Sequence, residues 1–304
     1  MKVYLFVDQE GVAGVFSRRE KYRYGTEYST MEVAAVCEAL LANGVTEIVV
    51  NTPHELEYHR LPSGVMVFHG EPTRDFFSEG LDSSFSAVMI LGMHEMAGGR
   101  EKGCWRHTVL PHPITQAYSS IEGVWLNSTV VGEIGLEAAF AGIHSVPVVL
   151  VTGDHWACLE ARDLLGDVET VAIKRGTSYF AAMSMHPADA ARASAAGAVR
   201  ALGKIGAVRP LTFSGPVDFT VRYLFPERAT DAVTVVRGAV RVDEKTVRKR
   251  FGSVAELLLS MGALRAPETE LYAADLGMEQ ATGFFTRYGV EPYQSAQTFP
   301  LPGR

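Results

Sequence analysis

Three short apolar runs in the first third of the chain each stop at an acid or a histidine. Residues 3–7 lead into Asp8-Gln9-Glu10, residues 48–50 into Asn51-Thr52-Pro53-His54, and residues 87–91 into Gly92-Met93-His94. Continuous apolar runs of this kind predict strands covered on both faces. Between the first two, Val33, Val36, Cys37, Leu40 and Leu41 recur at helical spacing. Ser29-x-x-Glu32 ahead of them reads as a capping box, and Asn43-Gly44 behind them as a helix stop. Residues 132–141 predict a helix packed closely through its small side chains. Residues 146–152 and 168–173 predict two more buried strands, ending in Gly153-Asp154-His155 and Lys174-Arg175. Buried strands alternating with helices indicate an α/β fold, a mostly parallel sheet with helices on both faces.

The pattern changes after about residue 186. His186-Pro187 opens an Ala-rich helix to about Leu202, and residues 217–225 then alternate apolar with polar, as in a half-buried antiparallel strand. Residues 233–242 read as a second strand, and Ser253-x-x-Glu256 starts a leucine-rich helix. The expected organisation is an α/β catalytic domain over residues 1–190, a smaller C-terminal α+β domain over 191–265, and an extension over 266–304 that contacts other subunits.

Bulk composition narrows the function classes. With 304 residues the chain can bury a large core, and 47% hydrophobic and 21% charged residues are ordinary for a globular protein. A net charge of −7 without an arginine-rich stripe argues against nucleic-acid binding. No apolar run approaches the ~18 residues of a membrane helix. The first apolar run is too short for a secretory signal. Cys37, Cys104 and Cys158 are far apart with no CxxC, which predicts a reducing compartment, the cytoplasm, and no disulfide framework.

The polar residues at the strand ends carry the chemistry. In an open parallel sheet the carboxyl ends of the strands lie along one edge, where ligands bind. Asp8, Glu10, His54 and His94 can therefore meet there, and a set of Asp, Glu and His without Cys suits a hydrolytic metal site. Along a strand, Asp8 and Glu10 face one side and repel unless a positive charge stands between them; a divalent metal pair supplies it, a solvated turn is the alternative. His54-Glu55-Leu56-Glu57-Tyr58-His59 is not HExxH, because Tyr58 occupies the second histidine position. His59 is therefore read as a surface residue. His94 fits either a ligand or a buried, hydrogen-bonded ring, and Gly92 before it allows a sharp turn. His107 follows a Gly-rich stretch and is either a loop acid or base or an ordinary loop histidine. Glu133 opens an apolar helix, where a buried acid needs the helix N-terminus or a metal. Asp154 and His155 are candidates for orienting a ligand. Lys174 and Arg175 fit either a carboxylate anchor or solvated charges. No Walker loop, strand-linked GxGxxG or GxSxG elbow is present.

Val7-Asp8-Gln9-Glu10-Gly11, Val50-Asn51-Thr52-Pro53-His54, Leu91-Gly92-Met93-His94, Gly103-Cys104-Trp105-Arg106-His107 and Val131-Gly132-Glu133-Ile134-Gly135-Leu136, in this order, resemble the zinc-dependent D-aminopeptidases of the DppA type. The resemblance runs from the N-terminus through about Lys174 and weakens after about residue 190. It implies two zinc ions per subunit, held by Asp8, Glu10, His54, His94 and Glu133, with His107 as the catalytic histidine. It also implies release of N-terminal D-amino acids from short peptides by a homodecamer, with no nucleic-acid or membrane partner. Two rivals remain open on the residues alone. One is another binuclear metallohydrolase, such as an amidase or phosphoesterase. The other is a non-catalytic ligand-binding protein on the same scaffold.

Overall fold

The computed structural model describes residues 1–69, 78–100, 102–108, 121–236 and 238–263. The expected extension over 266–304 lies outside them. The first sheet begins with β1 (Lys2–Val7) and β2 (Glu47–Thr52), and continues with β3 (Val65–His69), β4 (Ala87–Met93), β7 (Val148–Asp154), β8 (Glu169–Ser178) and β9 (Ala181–Ser184). Its order is β3-β2-β1-β4-β7-β8-β9, parallel through β8 with β9 antiparallel at the edge.

Period-two alternation splits β1 between two cores. Val3, Leu5 and Val7 pack with Val33, Val36 and Leu40 of α2 (Thr26–Ala42) and with Ala198 and Ala201 of α5 (Pro187–Leu202). Tyr4 and Phe6 pack on the other face with Ile134 and Ala138 of α3 (Glu133–Ile143) and Ala157 and Ala161 of α4 (His155–Leu165). Helices on both faces are thus observed, as the apolar runs predict.

A second sheet, β11-β12-β10-β5-β6, is antiparallel in the pairs β11/β12, β12/β10, β10/β5 and β5/β6. Its strands come from both sides of residue 190: β5 (Ile121–Leu126) and β6 (Thr129–Val130) before it, β10 (Val217–Tyr223), β11 (Val240–Arg241) and β12 (Thr246–Phe251) after it. Helix α3 also serves this sheet: Leu136, Ala139 and Phe140 join its core, which includes Leu257 and Leu258 of α7 (Val254–Ala263). A helix buried on both sides has no polar face, which accounts for its Gly and Ala content.

Two local expectations are corrected. Ser29 and Glu32 do not cap α2, which already begins at Thr26; both are buried inside it, and Glu32 accepts hydrogen bonds from Thr152 (2.6 Å) and Ser194 (2.8 Å). Residues 233–235 of the strand expected over 233–242 are instead the end of α6 (Pro226–Val235), which buries Ala229 and Ala232 on one face. Among the described residues of that stretch only Val240 and Arg241 form a strand, and the second long strand is the charge-rich β12. Ser253 and Glu256 do form the expected cap: Ser253 Oγ accepts from Glu256 N–H (3.2 Å), and Glu256 accepts from Gly252 N–H (2.6 Å). Among the described residues no helix is long and apolar enough to cross a membrane.

Candidate metal centre

The chain leaves β1 toward β2 and later returns to β4 on the other side of β1. That reversal opens a crevice at the carboxyl ends of β1 and β4. Asp8 directly follows β1, His94 directly follows β4, and His54 stands just beyond β2. Asp8 and Glu10 come together on a turn rather than on a shared strand face. Asp8 N–H donates to Leu91 O (2.9 Å) and Gly11 N–H to Gly92 O (2.7 Å), which ties the turn to β4. Gly11 leaves no room for a side chain, since a Cβ would fall 1.9 Å from Met93 O.

Gly92 makes the sharp turn expected of it. Its φ is 69°, and a Cβ there would lie 2.3 Å from Asp8 O. Gly92→Ala is expected to lower the unfolding free energy by at least about 2 kcal/mol, from left-handed strain and this clash. Denaturant titration of the chelated protein measures it.

The side chains converge on Asp8. Its Oδ1 lies 2.9 Å from His54 Nε2, and its Oδ2 lies 3.5 Å from His94 Nε2. His54 Nε2 also lies 3.3 Å from Glu10 Oε2. Glu133, the first residue of α3, places Oε1 3.5 Å from His94 Nε2. Asp8, Glu10, His94 and Glu133 are all buried, and His54 is half-buried. His107 arrives on the segment after β4, which Glu95 folds back by accepting the N–H groups of Arg100, Lys102 and Gly103. Its ring stacks on His94 with centroids 3.9 Å apart. All the candidates over residues 8–133 are therefore together, while His59 is exposed.

Backbone carbonyls set both histidine tautomers. His94 Nδ1–H donates to Glu95 O (2.9 Å), and His107 Nδ1–H donates to Trp105 O (2.8 Å). Burial disfavours charge on His94, but Glu133 outweighs it and raises the ring to about 10. Burial likewise opposes the His54 cation, which Glu10 and Asp8 push up to about 9. Burial and the Glu10 charge lift Asp8 to about 6. Burial also acts upward on Glu10, yet His54 and Lys21 hold it well below the usual carboxylate range. His107 moves down to about 4, through burial and the neighbouring His94.

The residues fit a metal. Buried Asp8 Oδ2 and Glu10 Oε2 accept no hydrogen bond from the described residues, a costly state that a cation relieves. Asp8, Glu10 and His54 bring ligand atoms within 4.8 Å of one another, and so do His94, His107 and Glu133. His94 also has the orientation common in metal-bound histidines, with the far nitrogen donating to a carbonyl.

The sequence profile of the D-aminopeptidase family matches residues 1–263. The chain belongs to that family. The D-aminopeptidase of Bacillus subtilis (strain 168) is 32% identical over 225 residues, covering 70% of this chain and 77% of the relative. A solved structure, the "Zn-dependent D-aminopeptidase DppA from Bacillus subtilis, a self-compartmentalizing protease", aligns with a TM-score of 0.78 and 26% identity over 88% of this chain and 99% of that one.

In this D-aminopeptidase family member three charged side chains around the site have roles that their spacing does not reveal. Lys21 opens a π-helical turn, Lys21–Gly25, and its ammonium contacts Glu10 and lies 3.5 Å from His54 Nε2. Lys174 is neither a carboxylate anchor nor solvated. Its buried ammonium donates to Glu10 O (2.5 Å) and Val15 O (2.7 Å), clamping the turn that carries both acids. Asp154 caps α4 and accepts from Cys104 N–H (3.2 Å) and Gly176 N–H, linking the His107 segment to β8. Cys104 is fully buried, and its thiol donates to Phe16 O (3.3 Å).

Proposed function

We propose that this chain is a two-zinc aminopeptidase that releases N-terminal D-residues, D-alanine among them, from short peptides. The observation that carries this reading is the meeting of Asp8, Glu10, His54, His94 and Glu133 in one crevice, with Asp8 touching both histidines. Asp8, Glu10 and His54 would hold one zinc, and His94 and Glu133, with Asp8 shared, the other. When bound, zinc supplies Lewis acidity, which activates water and polarises a carbonyl near neutral pH. The family and the zinc-dependent solved relative support the metal and the substrate class.

The chain's own groups do the rest. With zinc held by Asp8, Glu10 and Glu133, their negative charges would be offset, so a substrate's terminal amine would sit beside the centre as a neutral donor to a metal or to one of the acids. His107 is the proton carrier. With Nδ1–H held by Trp105 O, Nε2 is the acceptor; it takes a proton from the attacking water and returns it to the leaving amine. Lys174 and Asp154 keep the two acidic and histidine-bearing segments in place. By analogy with the self-compartmentalizing relative, we extend the proposal to a closed homo-oligomer, a decamer; native mass measurement tests it.

The test is metal analysis with rates on D-Ala-D-Ala and L-Ala-L-Ala. Two zinc per subunit and a strong preference for the D,D-peptide are expected. A metal-free active protein, or preference for the L,L-peptide, overturns the reading.

Metal binding should also release protons. His54 at about 9 and His94 at about 10 are both charged at pH 7 in the metal-free site, and a ligand imidazole must be neutral. Close to two protons per subunit are therefore expected to leave on zinc loading. As pH falls, proton competition grows, and apparent affinity drops about tenfold per unit for each displaced proton. Calorimetry in buffers of different ionisation enthalpy counts them.

A further inference from the structure

We propose that the cleft beside this centre receives the C-terminal carboxylate and last side chain of the substrate, so that the enzyme favours short peptides ending in a free acid. This deepens the D-aminopeptidase reading and rests on it. The cleft has a volume of about 340 Å³ and is lined by Ser17, Arg18, Arg19, Trp105 and Phe180. That volume lies at the small end of the range for small-molecule sites, ~300–1,000 Å³.

Trp105 joins the cleft to the catalytic groups. Its ring centroid is 6.2 Å from that of His107, and Lys21 Nζ stands 5.7 Å from the indole. Lys21 in turn touches Glu10. The Trp105 backbone has φ 52°, a left-handed conformation that is costly for a bulky residue. Its N–H is held by Tyr179 O (2.8 Å), and its carbonyl orients His107. The strained residue is thus the one shared by the cleft wall and the proton carrier.

The floor holds Asp8, Glu10 and Glu133, while the cleft carries Arg18 and Arg19, with Lys21 at the boundary. One acid in the cationic segment, Glu20, is engaged by the Ser17 hydroxyl. A short peptide carries its carboxylate away from its amine by about 3.3–3.6 Å per extended residue. With its amine at the metal centre and its scissile carbonyl beside His107, the carboxylate of a dipeptide or tripeptide would reach past Trp105 to the cationic side. Arginine recognises a carboxylate through two parallel N–H groups, and Trp105 and Phe180 offer apolar surface to the last side chain.

The experiment compares D-Ala-D-Ala with its C-terminal amide, using the zinc-loaded parent and the Arg18→Gln/Arg19→Gln double variant. Both arginines are exposed, and circular dichroism checks that the variant is folded. The parent is expected to show kcat/KM about tenfold or more higher for the free acid, mainly through KM. In the variant the acid-to-amide ratio should collapse toward one. Equal use of acid and amide by the parent, or a ratio unchanged in the variant, overturns the cleft assignment while leaving the D-aminopeptidase reading in place. If the parent cleaves neither D-alanyl substrate, both fall together.

Discussion

Asp8→Ala is expected to lower kcat/KM by about a thousandfold or more and to leave less than the full zinc complement on each subunit. Asp8 has the largest effect because, among the described residues, it is the side chain that touches both histidines, through Oδ1 to His54 and Oδ2 to His94. Without it, the group containing Glu10 and His54 is severed from the group containing His94 and Glu133. Lewis-acid activation contributes several kcal/mol to the barrier, and about 1.4 kcal/mol corresponds to tenfold in rate. The fold should survive. Asp8 N–H still bonds Leu91 O, because that contact is main-chain. The carboxyl itself sits in a site where burial and Glu10 oppose its charge. The measurement pairs steady-state rates with zinc content and a far-UV spectrum. Full zinc content with unimpaired rates would remove Asp8 from the centre.

The strand-end acids and histidines were legible because a buried parallel strand leaves a strong trace in sequence, a continuous apolar run, and its end is where polar residues first become useful. Asp8, His54 and His94 follow from that rule. Glu133 is legible for another reason, as an acid opening a helix with no polar face. The contributions of Lys21 and Lys174 were not legible. Each reaches the Asp8–Glu10 turn by a contact distant in sequence, and a lysine near an element end ordinarily reads as solvated. Lys174 is buried because β8 continues to Ser178 and brings it under residues 10–15. The same limit explains Ser29 and Glu32. Their spacing is a capping box, but a helix that starts earlier turns both inward, where Thr152 and Ser194 satisfy Glu32. The misread stretch 233–242 shows the converse. Its valines favour strands, yet Pro226 at the start of a helix and the buried Ala229 and Ala232 carry residues 233–235 into that helix, and only Val240 and Arg241 of the described residues pair as a strand. Local propensity yields there to packing that involves residues outside the window.

His107→Gln tests the other half of the chemistry. Glutamine keeps a polar side chain in the pocket but cannot carry a proton, so kcat is expected to fall by ~10²–10⁴. Zinc content separates two roles that the geometry brings close together. His107 lies with His94 and Glu133 in a group of ligand-type atoms, yet its ring stacks on His94 and its Nδ1–H is fixed on Trp105 O. If it carries protons, the variant keeps both zinc ions and loses rate. If it is a ligand, zinc falls along with rate. The pH profile adds a sign. Burial holds the ring below its ordinary value, and a neighbouring zinc would act in the same direction, so the neutral base form is populated across pH 6–9 and activity that needs it is lost only at acid pH. A kcat limb near pH 6.5 that disappears in His107→Gln would show instead that the ring titrates at its ordinary value, and would take His107 out of the buried, carbonyl-oriented role assigned to it.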